Sequence, residues 1–366
     1  MRVPPLSSTL AAGSLLAGTL AACAVGEPTG ASPVAAGKLA PAVASATRDG
    51  QARSFIAQLR RAAGPADLLA LRRVGARVTQ RYTHLPMVAV TAPGAAAPRL
   101  AALPFVTRLS PDLQVRRSLE IAGPAVGANA ARRDYGVTGR GVTVAVIDSG
   151  IAGSNDLSRS HSDSRSRVVA GYDFVTRTQT LQKNDPCGHG SCVAGIIAGN
   201  AYNSSALLSS KQFYGVAPEV NLANLRVLDK NGSGTVANAL AAIDWCIRNK
   251  AALNIRVINM SLGHAPGESY TTDPLCQASE RAWQSGILVV CAAGNRGRKV
   301  ANDKTSGAAY GTINSPGNDP YVLTVGAVND FNTQGTGDDE IASFSSRGPS
   351  RLDHILKPDL VAPGNR

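Results

Sequence analysis

Asn184-Asp185-Pro186-Cys187-Gly188-His189-Gly190-Ser191-Cys192-Val193-Ala194-Gly195-Ile196-Ile197-Ala198-Gly199 sets one histidine between two glycines, directly before a run of small and apolar residues. The run reads as a buried helix. Glycine on both sides of His189 lets backbone or ligand come close to the ring, at an entropic cost. A ring fixed at the start of a rigid element suits catalysis. A histidine there also serves as a cap or a core filler, so the rest of the chain has to decide.

Upstream, Gly141-Val142-Thr143-Val144-Ala145-Val146-Ile147-Asp148-Ser149-Gly150 is an almost continuous apolar run ending in a carboxylate. Such a run suits a central parallel strand buried on both faces. Asp148 then falls at the strand's carboxyl end, where open α/β sheets place their ligand crevice. An aspartate that only caps the following turn is the alternative. Downstream, strands are expected over 220–227, 256–263 and 287–295, with shorter ones at 321–327, 341–345 and 359–362. Helices are expected over 235–249 and 274–285. Strands alternating with helices imply an α/β fold with a doubly wound, mostly parallel sheet and right-handed crossovers.

The 366 residues carry a net charge of +12, which first suggests nucleic acid. Residues 51–133 hold thirteen arginines against Asp67, Asp112 and Glu120, whereas from 134 onward 21 basic and 20 acidic residues nearly cancel. The basicity belongs to one segment without aromatic interleaving, so an intramolecular partner is favoured and no nucleic acid is expected. Residues 1–23 combine Arg2, an Ala/Leu stretch and Leu20-Ala21-Ala22-Cys23, which reads as a signal peptide. The tetrapeptide resembles a lipobox, with Cys23 acylated and the protein membrane-attached; ordinary cleavage at the Ala-Ala pair is the alternative. Residues 24–50 read as a flexible linker. Residues 51–118 follow the order strand-helix-strand-strand-helix-strand, a small α+β ferredoxin-like arrangement that is functionally mute by itself.

Taken together, the motifs resemble the subtilases, serine endopeptidases of the subtilisin type. Ala145 to Ile151 matches the family's aspartate motif, Gly188 to Gly195 its histidine motif and Ala292-Ala293-Gly294-Asn295 its oxyanion motif. Ser261-Leu262-Gly263 matches its substrate-binding strand. Asp273-Pro274-Leu275-Cys276-Gln277-Ala278 and Tyr310 to Pro320 bring the text closer to the branch like the alkaline protease X of bacilli. Residues 119–366 form the peptidase domain on this reading, and 51–118 its propeptide, an intramolecular inhibitor and chaperone. The resemblance implies that His189 is the general base and that Asp148 orients it and stabilises the imidazolium. It implies that Asn295 donates to the oxyanion. Ser261, Leu262 and Gly263 would offer backbone to an extended polypeptide substrate, and Ala292, Ala293 and Gly294 would wall the pocket before the scissile bond.

Two departures stand out. The family's Gly-Thr-Ser-Met-Ala nucleophile motif does not occur in the 366 residues. The chain is therefore expected to be a C-terminally incomplete subtilase, inactive alone. Cys192 stands where relatives carry histidine, and is expected to be a buried structural thiol beneath the ring. After Cys23, cysteines 187, 192, 246, 276 and 291 form an odd set, leaving at least one thiol free in an exported protein. Cys187 and Cys192 could close a short loop around His189, whereas 246 and 276 should lie too far apart. No cofactor is required for catalysis. Structural calcium is common in relatives, but no ligand set is assignable and no metal residues are named. Two competing functions remain: a peptide-gripping pseudoprotease, and a chain whose 51–118 segment is itself a protease inhibitor.

Overall fold

The computed structural model describes residues 37–45, 51–117, 126–160, 165–179, 184–204, 212–301, 304–331, 333 and 335–365. The expected signal peptide and Cys23 lie outside them. All described residues fall in one compact unit, Ser32–Arg366. Among them, no helix is long and apolar enough to cross a membrane.

The upstream segment builds β1 (Ala52–Leu59), α1 (Pro65–Arg73), β2 (Arg77–Arg81), β3 (Met87–Pro93), α2 (Ala97–Ala102) and β4 (Val106–Pro111). The strands form an antiparallel sheet in the order β2-β3-β1-β4. Proline at the start of α1 costs no hydrogen bond, because the first helical N–H groups have no partner in the helix. Asp67 accepts from Gly64 N and closes that end. Side chains alternate along β1. Phe55, Ala57 and Leu59 bury against α1 and α2, whereas Ile56 turns the other way into the core of the downstream domain. One expectation is corrected here. Residues 39–45, assigned to the flexible linker, fold onto this sheet: Leu39 bridges Leu109, Ala40 is buried beside it, and Val43 of the helix Pro41–Ser45 is buried too. Small apolar side chains at that spacing found a face to cover.

Next come β5 (Gln114–Arg117), β6 (Thr143–Asp148), β7 (Val168–Asp173), α3 (His189–Ala198), β8 (Asn221–Arg226), β9 (Ser233–Thr235) and α4 (Val236–Leu253). They are followed by β10 (Ile255–Met260), β11 (Leu262–Gly263), α5 (Pro274–Gln284), β12 (Leu288–Ala292), β13 (Leu323–Asn329) and β14 (Leu360–Asn365). Six of these strands run parallel in the order β13-β12-β10-β6-β8-β7, and β14 adds in parallel to β13. Within this central sheet, among the described residues, only the short segments Thr178–Gln179 and Glu340–Ile341 pair antiparallel, so it is mostly parallel, with helices. The strand expected over 341–345 is reduced to that edge pair, because Ser345 N turns back to Ala342 O.

β6 is buried at every position. Val144 and Val146 pack toward α3 with Val193 and Ala194, while Ala145 and Ile147 pack toward α4 with Leu240 and Ile243. Each such aliphatic side chain contributes ~1.5–3 kcal/mol by leaving water. Two-sided covering is what its unbroken apolar text demanded.

Candidate active site

Asp148 ends β6 and is fully buried; His189 opens α3 with its side chain nearly so. Their carboxylate Oδ1 and ring Nδ1 lie 2.7 Å apart, and Ser149 N also donates to Oδ1 at 2.7 Å. With Asp148 ionised, Nδ1 carries the proton and Nε2 is left as the basic nitrogen. Nε2 is buried without a hydrogen-bond partner among the described residues, and so is the second carboxylate oxygen. A neutral imidazole held in this tautomer can take a proton at Nε2 and keep the resulting cation beside a carboxylate.

Glycine makes the approach of the two elements possible. A Cβ on Gly190 would lie 2.2 Å from Gly150 O and 3.1 Å from Asp148 Cβ. Gly150 has φ +120°, and a Cβ there would meet Asn184 O at 2.2 Å. Neither position accepts a side chain. The start of α3 and the turn after β6 therefore touch through bare backbone.

Asp185 holds this junction together. Its Oδ1 accepts from Ser149 Oγ at 2.8 Å, Gly188 N at 2.8 Å and Cys187 N at 3.2 Å. Its Oδ2 accepts from Ser191 N at 2.8 Å and Ser191 Oγ at 2.7 Å. Ser191 Oγ in turn accepts from Ala152 N, and Ser149 Oγ from Gly190 N. Burial pushes the Asp185 carboxyl up, but the Ser191, Ser149 and Gly188 hydrogen bonds outweigh it and hold the group below the usual carboxylate range. The sequence reading gave this residue no role. Its signal is an acid four positions before His189, at the reach of a cap on free helical N–H groups.

The remaining expected residues gather around a second locus. Ser261 is buried, and Leu262–Gly263 forms β11. β5 of the same chain lies antiparallel to it, Arg117 opposite Leu262 and Arg116 opposite Gly263, and β9 flanks β5 on the other side. The edge assigned to substrate is thus occupied by the chain's own residues 114–117. Gly263 and Gly294 both press on Asn314: their Cβ positions would fall 3.2 Å from Asn314 Cβ and 2.7 Å from Asn314 Nδ2. Ala293 N is held by Val325 O, and Ala292 ends β12. Ser346 clamps both sides of Asn295, its N donating to Gly294 O and its Oγ accepting from Arg296 N. Asn295 itself is exposed, bonds to neither Asp148 nor His189, and lines a cavity of about 890 Å³ with Ala265, Thr312 and Ile313.

The cysteine expectations change. Cys192 is exposed, not buried beneath the ring, because the third residue after His189 turns outward on α3. Cys246 and Cys276 are both buried. Burial pushes the Cys276 thiol far up, so it is inert as a nucleophile. No cluster of three His, Cys, Asp or Glu side chains is placed to hold a metal among the described residues.

Comparison with known proteins now bears on this geometry. The sequence model of the Subtilase family matches residues 139–366. Serine protease AprX of Bacillus subtilis strain 168 is 40% identical over 260 residues, covering 69% of this chain and 52% of its own length. Minor extracellular protease Epr of the same organism is 32% identical over 294 residues, covering 75% of this chain and 38% of its own. Subtilisin E, also from that strain, is 38% identical over 235 residues, covering 64% and 49%. The chain spans about half or less of the length of these relatives.

Proposed function

The chain belongs to the subtilase family, and from that premise we propose that it carries the proton-transfer and oxyanion parts of a serine endopeptidase. The observation that carries the reading is the Asp148–His189 pair at 2.7 Å, with Nε2 buried and unpartnered. His189 takes the proton of a serine hydroxyl at Nε2 and returns it to the leaving amine. Asp148 fixes the ring and stabilises the imidazolium. Asn295 donates its side-chain N–H to the tetrahedral oxygen, an effect of ~10²–10³ in turnover for such a donor. Ser261–Gly263 receives an extended polypeptide by strand addition, and Ala292–Gly294 walls the neighbouring pocket.

The same proposal makes 51–118 a ferredoxin-like propeptide that inhibits its own domain. Three kinds of contact favour it. β5 fills the substrate edge, and Ile56, Tyr82, Leu85 and Met87 join the core around α4 and α5. Asp112 and Leu113 accept from Ala237 N and Val236 N at the start of α4, while Arg108 pairs with Glu268 at 2.6 Å. Export is part of the reading, supported by residues 1–23 and by a relative whose name says extracellular. Lipidation at Cys23 would add membrane attachment.

A fluorophosphonate probe tests the function. The 366-residue chain, without Gly-Thr-Ser-Met-Ala, is expected to stay unlabelled. A chain that includes that segment is expected to label, and His189→Ala to abolish labelling. Labelling indifferent to His189→Ala would overturn the assignment.

A further inference from the structure

The cavity that holds Asn295 is also lined by Arg296, Arg298, Arg351 and His354, and by no aspartate or glutamate among the described residues. A fourth guanidinium, that of Arg347, stands over the ring of Tyr310, itself in the cavity wall, at 6.0 Å; its Nε is buried and has no hydrogen-bond partner among the described residues. Elsewhere some arginines are answered by acids, Arg61 by Asp67, Arg108 by Glu268, Arg140 by Glu219 and Arg226 by Asp173, and others by backbone carbonyls, as Arg167 is by Ala198 O and Pro218 O. None of Arg296, Arg298, Arg347 and Arg351 has an ion pair among the described residues. Arg298 spends its donors on Ser343 Oγ, and Asp353, two positions after Arg351, accepts from Tyr270 N.

An uncompensated cluster of guanidinium groups inside a concave wall focuses positive potential into the cavity. Guanidinium prefers a planar carboxylate, which it meets with two parallel donors. We propose that this cavity receives an acidic side chain, glutamate or aspartate, from the residue of a bound peptide that flanks the scissile bond. The proposal rests on Asn295 as the oxyanion donor, because that residue places the cavity beside the bond to be cut. Arg296 sits next to Asn295 in sequence, and Ser346 fixes its backbone, so this cation has a defined position. Arg351 reaches the cavity from a separate stretch of chain.

The experiment is isothermal titration of the 366-residue chain with two extended peptides that differ only by Glu against Gln at the position expected in the cavity. Each is measured at 50 mM and 500 mM salt. The Glu peptide is expected to bind about tenfold tighter at low salt, the combined effect of a few half-exposed charge pairs. The preference is expected to shrink at high salt, where the Debye length falls to a few ångströms. Arg296→Gln with Arg351→Gln is expected to bring the ratio near one by weakening the Glu peptide about tenfold. A thermal melt of the double variant shows whether it is folded, and Arg296→Lys with Arg351→Lys, which keeps the charge, should retain most of the preference. Equal binding of the two peptides, or a ratio untouched by the Gln variants, overturns the inference and leaves strand docking standing. Binding of neither peptide, even to a chain in which residues 114–117 are replaced by a Gly/Ser sequence so that β11 is free, removes both.

Discussion

Asp185→Asn tests how the site is held together. The carboxylate collects five donors, two of them from Ser191. Asparagine keeps one acceptor oxygen, so the bonds from Ser149, Cys187 and Gly188 persist in weaker, uncharged form. The amide NH₂ then faces the Ser191 N–H, donor against donor. Ser191 Oγ, which accepts from Ala152 N, has a second lone pair for the amide NH₂, but the Ser191 N–H is still left without an acceptor. Hydrogen bonds to a charged group contribute ~1.5–3 kcal/mol, and an orphaned buried donor costs ~1–3 kcal/mol. A net loss of ~3 kcal/mol follows, which for a chain of this size lowers the melting temperature by ~4 °C. The carboxyl is held below the usual range, so its contribution is complete above that range and disappears as pH falls through the native value. Wild type and variant should converge in acid. Urea unfolding at pH 7 gives the energy, and NMR of labelled histidine reports whether the His189 ring has moved. A loss under ~1 kcal/mol with an unchanged His189 signal would refute the idea that Asp185 ties α3 to the turn after β6.

Asp319 gives a pH dependence of opposite sign. Burial, with Glu280 and Asp273 nearby, raises its carboxyl to about 7, against hydrogen bonding from Tyr321 N and the charge of Lys357. The folded protein keeps a proton there that the unfolded chain releases near pH 4, so stability falls as pH rises between about 4 and 7. Asp319→Asn should therefore gain stability over wild type at pH 8 and much less at pH 5, with a ceiling of ~4 kcal/mol. A pH-independent difference would sink this. Gly190→Ala drives a methyl into Gly150 O and should cost ~3 kcal/mol while spreading the Asp148–His189 pair. An unchanged melting temperature would show that α3 can slide.

What could be read in the sequence was what repeats or brackets. The unbroken apolar text of β6 required cover on both faces, which fixed a parallel α/β sheet. Of the two glycines around His189, Gly190 marked a backbone contact that tolerates no side chain. The outlines of β1–β4, α1 and α2 also followed from periodicity and prolines. The rest depended on partners distant in sequence. Nothing local says that residues 114–117 lie between β9 and β11. Residues 39–45 looked like a linker because their small side chains fill a gap only once β4 is in place. Cys192 was misjudged for a geometric reason: on a helix whose opposite side packs on β6, the third position after His189 faces solvent. Asp185 escaped because one carboxylate before a helix is ordinary text until its five donors are seen.

β5 has a further consequence for how anything enters this groove. It is the middle strand of three, so its backbone satisfies two neighbouring edges at once. Were it to leave alone, β9 and β11 would each expose a row of unpaired N–H and C=O groups, an invitation to any extended chain. Strand loss and strand gain are thus one event, an exchange. The incumbent is tethered to the same polypeptide, and a short tether keeps it at an effective concentration on the order of millimolar. A visiting peptide must outbid that concentration or arrive after the tether is cut. Occupancy is then governed less by how well a newcomer fits than by how far the resident end can diffuse once it lets go.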